Sequence, residues 1–304
     1  MTDRPEPDEA FEELVGPHRA ALLAHCYRML GSLQDAEDAV QETLLRAWRA
    51  LPRLEGHEHV RAWLYRIATN RCLTAATRRR DLPVDLTPGT PLGEIAWLEP
   101  FPSAELAAEE REGVELAYVA ALQHLPPAQR AVLLLRDVLG FSAAEVARQL
   151  DSTPAAVHSA LARARRALAD AAPARDAVRR DPPGTAAADL VAAWARAWED
   201  GDADAVVALL TEDARYSMPP LPAWYAGPAA IGAWLRTGPI RQSWRFLPTA
   251  ANGRPAFATY LREGPAFRPC GLDVLVTRDG RVTEVVSFLD ADPTWFGLPA
   301  SLDA

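Results

Sequence analysis

Apolar residues recur at helical spacing through the first eighty positions of the chain. Phe11, Leu14 and Val15 open a stripe that continues through Leu22, Leu23, Cys26 and Leu30, and Gly31 ends it. Ser32 then stands where a helix N-cap is wanted. Asp35 lies three residues on, and Asp35, Glu37 and Asp38 fill a first turn whose dipole favours anions. Ala36, Val40, Leu44 and Trp48 follow as the apolar face of that helix. Trp63, Leu64, Ile67 and Ala68 do the same for a third helix, from about Val60 to Arg80. Residues 9–80 are therefore expected to be all-helical.

Prolines at 83, 88, 91, 100 and 102, with Gly89 and Gly93, interrupt the pattern and predict a linker. Helical spacing resumes near Ser103 and lasts to about Leu168. A second linker, Ala171–Thr185, contains Pro173, Pro182, Pro183 and Gly184. Beyond it two helices (about 187–199 and 203–210) precede alternating runs that read as strands. Asn252-Gly253 joins Ser243–Ala251 to Pro255–Leu261, and Asp279-Gly280 joins Asp273–Thr277 to Arg281–Leu289. Both dipeptides accept the positive φ of a tight hairpin. The expected organisation is a helical domain at 9–80, a linker at 81–110, a second helical domain at 111–170, a linker at 171–186 and an α+β domain at 187–304.

The second helical domain contains a recognisable corner. Ser142 and Glu145 form a capping box before a helix that runs to Leu150, and Asp151-Ser152-Thr153 makes a three-residue turn. Pro154 sits at the first position of the next helix, where its missing N–H costs nothing. Val157, Leu161, Ala164 and Leu168 give that helix a buried stripe. Its other side carries Ala155, His158, Ser159, Ala162, Arg163 and Arg166. Small residues near the start let a backbone approach base edges in a major groove, while Arg163, Arg165 and Arg166 reach phosphates. A two-helix corner inside a bundle, with Arg solvating its outer face, has the same shape and remains open at this point.

Charge sharpens the picture. The net charge of −9 is wrong for a nucleic-acid binder, but it is unevenly spread. Residues 128–180 carry nine Arg against five acids, whereas 1–110 carry twelve Arg against nineteen acids, and the chain has no Lys. A local basic segment is what meets phosphate. Acidic surface elsewhere suits a protein that acts on DNA only together with a partner. Cys26, Cys72 and Cys270 lack disulfide-framework or metal-ligand spacing, so no metal or cofactor is expected and a reducing cytoplasm fits. Neither a membrane-spanning run, a signal peptide, a Gly-rich phosphate loop nor a nucleophile–base pair is apparent.

Three segments together carry a family resemblance. DAEDAVQETLLRAW (35–48) resembles region 2 of the extracytoplasmic-function sigma factors of RNA polymerase, and WLYRIATNR (63–71) resembles the helix that follows it there. LPPAQRAVLLLR (125–136), with the helix-turn-helix after it, resembles region 4. The order and separation of all three match. The resemblance implies core-polymerase contacts from Asp35, Asp38, Gln41 and Glu42. It implies reading of the −10 element by Arg66, Asn70, Arg71 and Arg78, Arg79 and Arg80, with a base-capturing loop at Leu54–His59. For the −35 element it implies Thr153, Ala155, His158, Ser159, Arg163, Arg165 and Arg166.

The C-terminal part resembles a SnoaL-like domain, the α+β cone shared with ketosteroid isomerases. The resemblance rests on Leu190–Glu199, Leu209–Ala214, Met218–Gly227 and the final strands ending at Phe288. Trp97-Leu98-Glu99-Pro100 is similar to a linker motif of sigma factors fused to such domains. The fold class implied is multidomain: an all-α region 2 bundle, an all-α region 4 helix-turn-helix and an α+β cone. Trp224, Tyr225, Trp244 and Asp273 are candidate pocket residues of the cone. Asp273 is either a pocket carboxylate with a raised pKa or a solvent-facing residue at a strand start, and the aromatics are either pocket lining or core. All six His lie outside this domain, so catalysis is not expected.

The expected function is promoter selection as a subunit of core RNA polymerase. The cone would act by intramolecular contact with the sigma domains or the linker, in place of a separate anti-sigma factor. A small-molecule ligand for the cone remains open. The competing expectation is a ligand-responsive regulator that binds an operator without polymerase, and this leaves residues 9–80 unexplained.

Overall fold

The computed structural model describes residues 7–51, 60–78, 98–103, 114–171, 185–219, 221 and 224–303. The chain divides into two compact units. The first contains both all-α segments, packed together as one body. The second contains the C-terminal α+β domain and, joined to it, the 98–103 segment of the first linker.

In the helical unit α1 is Pro7–Val15, α2 Arg19–Leu30, α3 Leu33–Ala50 and α4 Val60–Arg78. Leu22, Cys26, Leu30, Leu33, Val40, Leu64, Ala68 and Cys72 are buried between the last three, as the apolar stripe requires. Gly31 ends α2 with φ 75°, a left-handed conformation that a side chain would resist. Ser32 caps α3 through its Oγ, which accepts from the Asp35 amide at 3.1 Å. Inside the bundle His25 is buried, its Nε2 is 3.0 Å from Thr69 Oγ1, and its ring meets that of Tyr65 edge-on.

The second helical segment holds α5 (Leu116–Gln123), α6 (Pro127–Leu133, continued by a π turn to Val138), α7 (Ala143–Gln149) and α8 (Pro154–Ala171). Arg130 fastens it to α2. Its buried guanidinium donates to the Met29 carbonyl, to Gln123 Oε1 at 2.6 Å, and to the Gln123 and Leu125 carbonyls at 3.1 Å. These acceptors cluster at the C-terminal ends of α2 and α5, where unsatisfied carbonyls carry the negative end of the helix dipole. A buried cation is tolerable only with such partners, because one left unpaired would cost several kcal/mol.

In the second unit α9 (Thr185–Glu199) and α10 (Ala203–Ala208) precede a sheet of β1 (Leu210–Ser217), β2 (Trp224–Ala226), β3 (Trp244–Ala251), β4 (Arg254–Glu263), β5 (Ala266–Arg278), β6 (Arg281–Phe288) and β7 (Leu302–Asp303). The order is β2-β1-β6-β5-β4-β3, with β7 on β5. β1 runs parallel to β6, and the other pairs are antiparallel. Helix α11 (Gly227–Thr237), which the sequence pattern did not announce, packs beside β1. Trp194, Trp198, Val206, Ile231, Leu235, Phe257, Leu275 and Val285 join helices and sheet in one core. Both predicted hairpins are present. Asn252 and Gly253 take φ 53° and 70°, and Asp279 and Gly280 take 53° and 72°, as a type I′ turn demands. Among the described residues no helix is long and apolar enough to cross a membrane.

Candidate functional site

Helix α8 presents the surface expected of a recognition helix. The capping box forms, with the Ser142 amide donating to Glu145 Oε2 at 2.7 Å and the Glu145 amide donating to Ser142 Oγ at 3.2 Å. These bonds hold the Glu145 carboxyl below its usual pKa. Asp151 makes the turn with φ 49°, and Thr153 Oγ1 accepts from the Ala156 amide, so its hydroxyl serves the backbone as a cap. Val157, Leu161 and Ala164 are buried; Ala155, His158, Ser159, Ala162, Arg163 and Arg166 are exposed. Arg165 is exposed as well, but Asp137 grips it with two bonds of 2.7 and 2.9 Å. That pairing raises the Arg165 pKa and occupies the fork that a phosphate would use.

On α4, Arg66 and Asn70 are exposed one turn apart, and Arg71 is half-buried. Arg66 lies 3.6 Å from Asp151 in the helix-turn-helix turn. Arg61, one turn earlier, donates to the Leu139 carbonyl at 2.9 Å and stands 4.8 Å above the Phe141 ring. The face of α4 assigned to the −10 element thus touches the corner assigned to the −35 element. The side chain of Arg78, all of Arg79 and Arg80, and the whole of the Leu54–His59 loop lie outside the described residues.

On α3, Asp38 and Gln41 are exposed while Asp35 and Glu42 are half-buried, and Glu42 pairs with Arg46 at 2.8 Å. Beside them runs a groove of about 420 Å³ lined by Phe11, Glu12, Gln41, Leu44, Leu45 and Trp48. Leu45 is 53% exposed and Trp48 36%, so Trp48 is only partly the core residue that its spacing predicted. An exposed leucine and tryptophan flanked by acids make this face amphipathic.

The cone holds a cavity of about 410 Å³ that is partly open to solvent. Asp273 and Trp244 both line it. Tyr225 stands behind its wall, stacked on Trp234 at 4.9 Å. The expectation for Trp224 is corrected: on the short edge strand β2 it is 46% exposed and is absent from the cavity lining. Sequence reasoning missed Trp198, Tyr216, Trp234 and Phe246, which complete the aromatic wall. Asp273 is mid-strand, 2% exposed, opposite Phe257 on β4 and Ser287 on β6, so its side chain occupies a core register position. Burial pushes its pKa up to about 6, against hydrogen bonds from Ser287 and Tyr216 that lower it. Tyr216 donates to Oδ2 at 3.4 Å, whereas the buried Oδ1 has no hydrogen-bond partner.

The linker docks at the far end of β3. The Phe101 amide donates to Asn252 Oδ1 at 2.9 Å, and the Asn252 amide returns a bond to the Phe101 carbonyl at 2.8 Å. Ser103 adds an amide bond to the Ala250 carbonyl at 3.2 Å, and its Oγ accepts from Gly253 at 2.9 Å. Leu98, Phe101 and Ser103 are buried. The intramolecular contact expected between cone and linker is therefore present.

This architecture defines a class: a helical, helix-turn-helix-bearing body fused to an α+β cone that holds the linker. Sigma-70 region 2 matches residues 14–81, Sigma-70, region 4 matches 115–168, and the SnoaL-like domain matches 191–285. The ECF RNA polymerase sigma factor SigG of Mycobacterium tuberculosis is 48% identical over 238 residues, 73% of this chain and 64% of SigG. SigM of that organism is 32% identical over 160 residues, 53% of this chain and 76% of SigM. The chain belongs to the family of ECF RNA polymerase sigma factors. It spans 64% of the length of SigG, the first of these relatives. The crystal structure of the M. tuberculosis sigma factor SigJ shares the fold, with a TM-score of 0.62 at 24% identity over 96% of this chain and 99% of that one.

Proposed function

We infer that the chain selects promoters as a cytoplasmic subunit of RNA polymerase, and that its cone governs this activity through the linker rather than by catalysis. The observation that carries the reading is the pairing of an exposed recognition helix, capped by Thr153 and preceded by the Ser142-capped α7, with the acidic and apolar face of α3 in one body. Arg163 and Arg166 on α8 supply phosphate contacts while Ala155, His158 and Ser159 approach base edges. Arg66 and Asn70 on α4 serve the melted strand. Asp35, Asp38, Gln41 and Glu42, with Leu45 and Trp48, dock on core polymerase.

Run-off transcription with purified core polymerase over a genomic fragment library tests this. Full-length protein is expected to direct initiation at defined sites, and Leu45→Asp to abolish it by placing a charge in the docking groove. A version ending near Ala171 gives the sign of the cone's effect. Tight, salt-sensitive duplex binding without polymerase, and no initiation, would instead favour an operator-binding regulator.

The contact between α4 and the helix-turn-helix has a consequence for assembly. Promoter elements centred at −10 and −35 are about 25 base pairs apart, roughly 85 Å at about 3.4 Å per base pair. Arg66 and Asp151 are within 3.6 Å. The two readers must separate before both can be engaged, and that separation lowers apparent affinity for polymerase. Arg61→Ala removes the Phe141 and Leu139 contacts of the closed form. It is expected to tighten core-polymerase binding about threefold to tenfold, the equivalent of about 1 kcal/mol, in fluorescence anisotropy titrations. Unchanged affinity would show that separation is no barrier to assembly.

A further inference from the structure

The cone's cavity combines two features that the transcription role does not use. Its wall is aromatic: Trp198 meets Tyr216, Trp234, Trp244 and Phe246 at ring-centroid separations of 5.6–6.5 Å. Its floor holds the buried Asp273, whose Oδ2 receives a long bond from Tyr216 and whose carboxyl has the Ser287 hydroxyl beside it, while Oδ1 has no hydrogen-bond partner. Among the described residues the lining contains neither Arg nor His, so no cation of that lining answers this carboxylate. A buried acceptor left unmade is costly, and a buried carboxylate without a counter-charge more so. Ring faces are themselves negative, so wall and floor attract the same kind of group.

We propose that this cavity binds a protonated organic amine on a compact apolar or aromatic frame, which pairs with the Asp273 carboxylate while its alkyl substituents pack on the Trp198, Trp234 and Trp244 faces. A volume of about 410 Å³ suits a ligand of that size. A neutral alcohol would meet the hydrogen bond without using the aromatic faces for charge. The proposal stands whether or not the chain serves polymerase.

The groups at Asp273 fix the expected pH dependence. Tyr216 on β1 and Cys270 on β5 have their pKa values raised by burial and stay neutral through pH 8, and Ser287 on β6 offers a hydroxyl. Opposite them, α9 and α11 present Trp198 and Trp234, and the Glu199 carboxylate at the end of α9 is engaged by the Phe246 amide. Asp273 titrates near 6, so protons compete with an ammonium below that pH and not above it. An alkylammonium probe stays charged throughout.

Calorimetric titration of the full chain with 2-phenylethylammonium, its N,N-dimethyl derivative and neutral 2-phenylethanol tests the proposal. Saturable one-to-one binding of the amines is expected, at least tenfold tighter than the alcohol at pH 7.5. Affinity should fall roughly tenfold at pH 5. Asp273→Asn, which removes the charge and keeps the shape, should weaken the amines by more than tenfold; Trp234→Leu should weaken the dimethyl derivative most. The proposal is overturned if neither amine saturates at millimolar concentration, or if the alcohol binds as tightly. It also fails if affinity on the unmodified chain falls as pH rises from 5 to 7.5, or if Asp273→Asn binds the amines unchanged.

Discussion

Replacing Asn252 with glycine is expected to free the Leu98–Ser103 segment while leaving intact the hairpin that holds it. Asn252 has φ 53° and is fully buried. Glycine enters that left-handed region freely, so the type I′ turn and the β3–β4 register survive the change. The loss is the Oδ1 acceptor, which leaves the Phe101 amide without its partner in a buried position. A buried donor so orphaned costs about 1–3 kcal/mol, which raises the opening of the segment by about 10- to 100-fold. Amide hydrogen exchange at Phe101 and Ser103 should accelerate by that factor, with Phe257 and Leu275 unchanged. If the cone acts through the linker, Asn252→Gly must move run-off transcription in the same direction as removing the cone. Opposite directions would sever the link between docking and control.

That docking marks where the sequence stopped being informative. Asn252-Gly253 was legible as a hairpin because the dipeptide's own backbone preference makes the turn, as was Asp279-Gly280. The Asn side chain's second task depends on a partner 151 residues away, in a stretch whose prolines read only as linker. The same contrast holds elsewhere. The caps at Ser32 and Ser142 and the stripe of α8 are local patterns and were readable in detail. Helix α11 was not, because it opens on Gly227-Pro228 amid small residues that carry little periodic signal. Nor was the parallel pairing of β1 with β6, which joins strands far apart in the chain. For the candidate sites, spacing identified the outward faces of α3 and α8. Periodicity could not show that Leu45 stands exposed beside Trp48 or that Arg165 is held by Asp137, since both depend on what packs nearby. Asp273 was visible as a charge in an apolar run, but only the sheet's register shows which way it points.

The two units are expected to respond to acid with opposite sign. His25 is buried beside Thr69 and Tyr65; burial, aided by the charge of Arg28, lowers its pKa from 6.5 to about 3. Between those values the unfolded chain binds a proton that the folded helical unit refuses. The contribution is therefore present in full above pH 6.5 and lost as pH falls, by about 2–3 kcal/mol at pH 4.5. Asp273 reverses this. Its folded pKa of about 6 exceeds the unfolded 3.8, so the folded cone holds a proton that the unfolded chain releases. Stability of the cone rises as pH falls through 6, by about 2 kcal/mol between pH 7.5 and 4.5. Glu284, its pKa raised by burial, adds in the same direction. Hydrogen exchange at core amides separates the two units: acidification should weaken protection at Leu64 and strengthen it at Leu275, after correction for intrinsic rates. His25→Phe preserves the ring contact with Tyr65 and should remove most of the acid sensitivity at Leu64 alone. Asp273→Asn should raise protection at Leu275 at pH 7.5 and change little at pH 4.5. A shared loss of protection on acidification would mean that neither buried group governs its unit, and that surface carboxylates paired with Arg, such as Asp213 with Arg278, dominate the response.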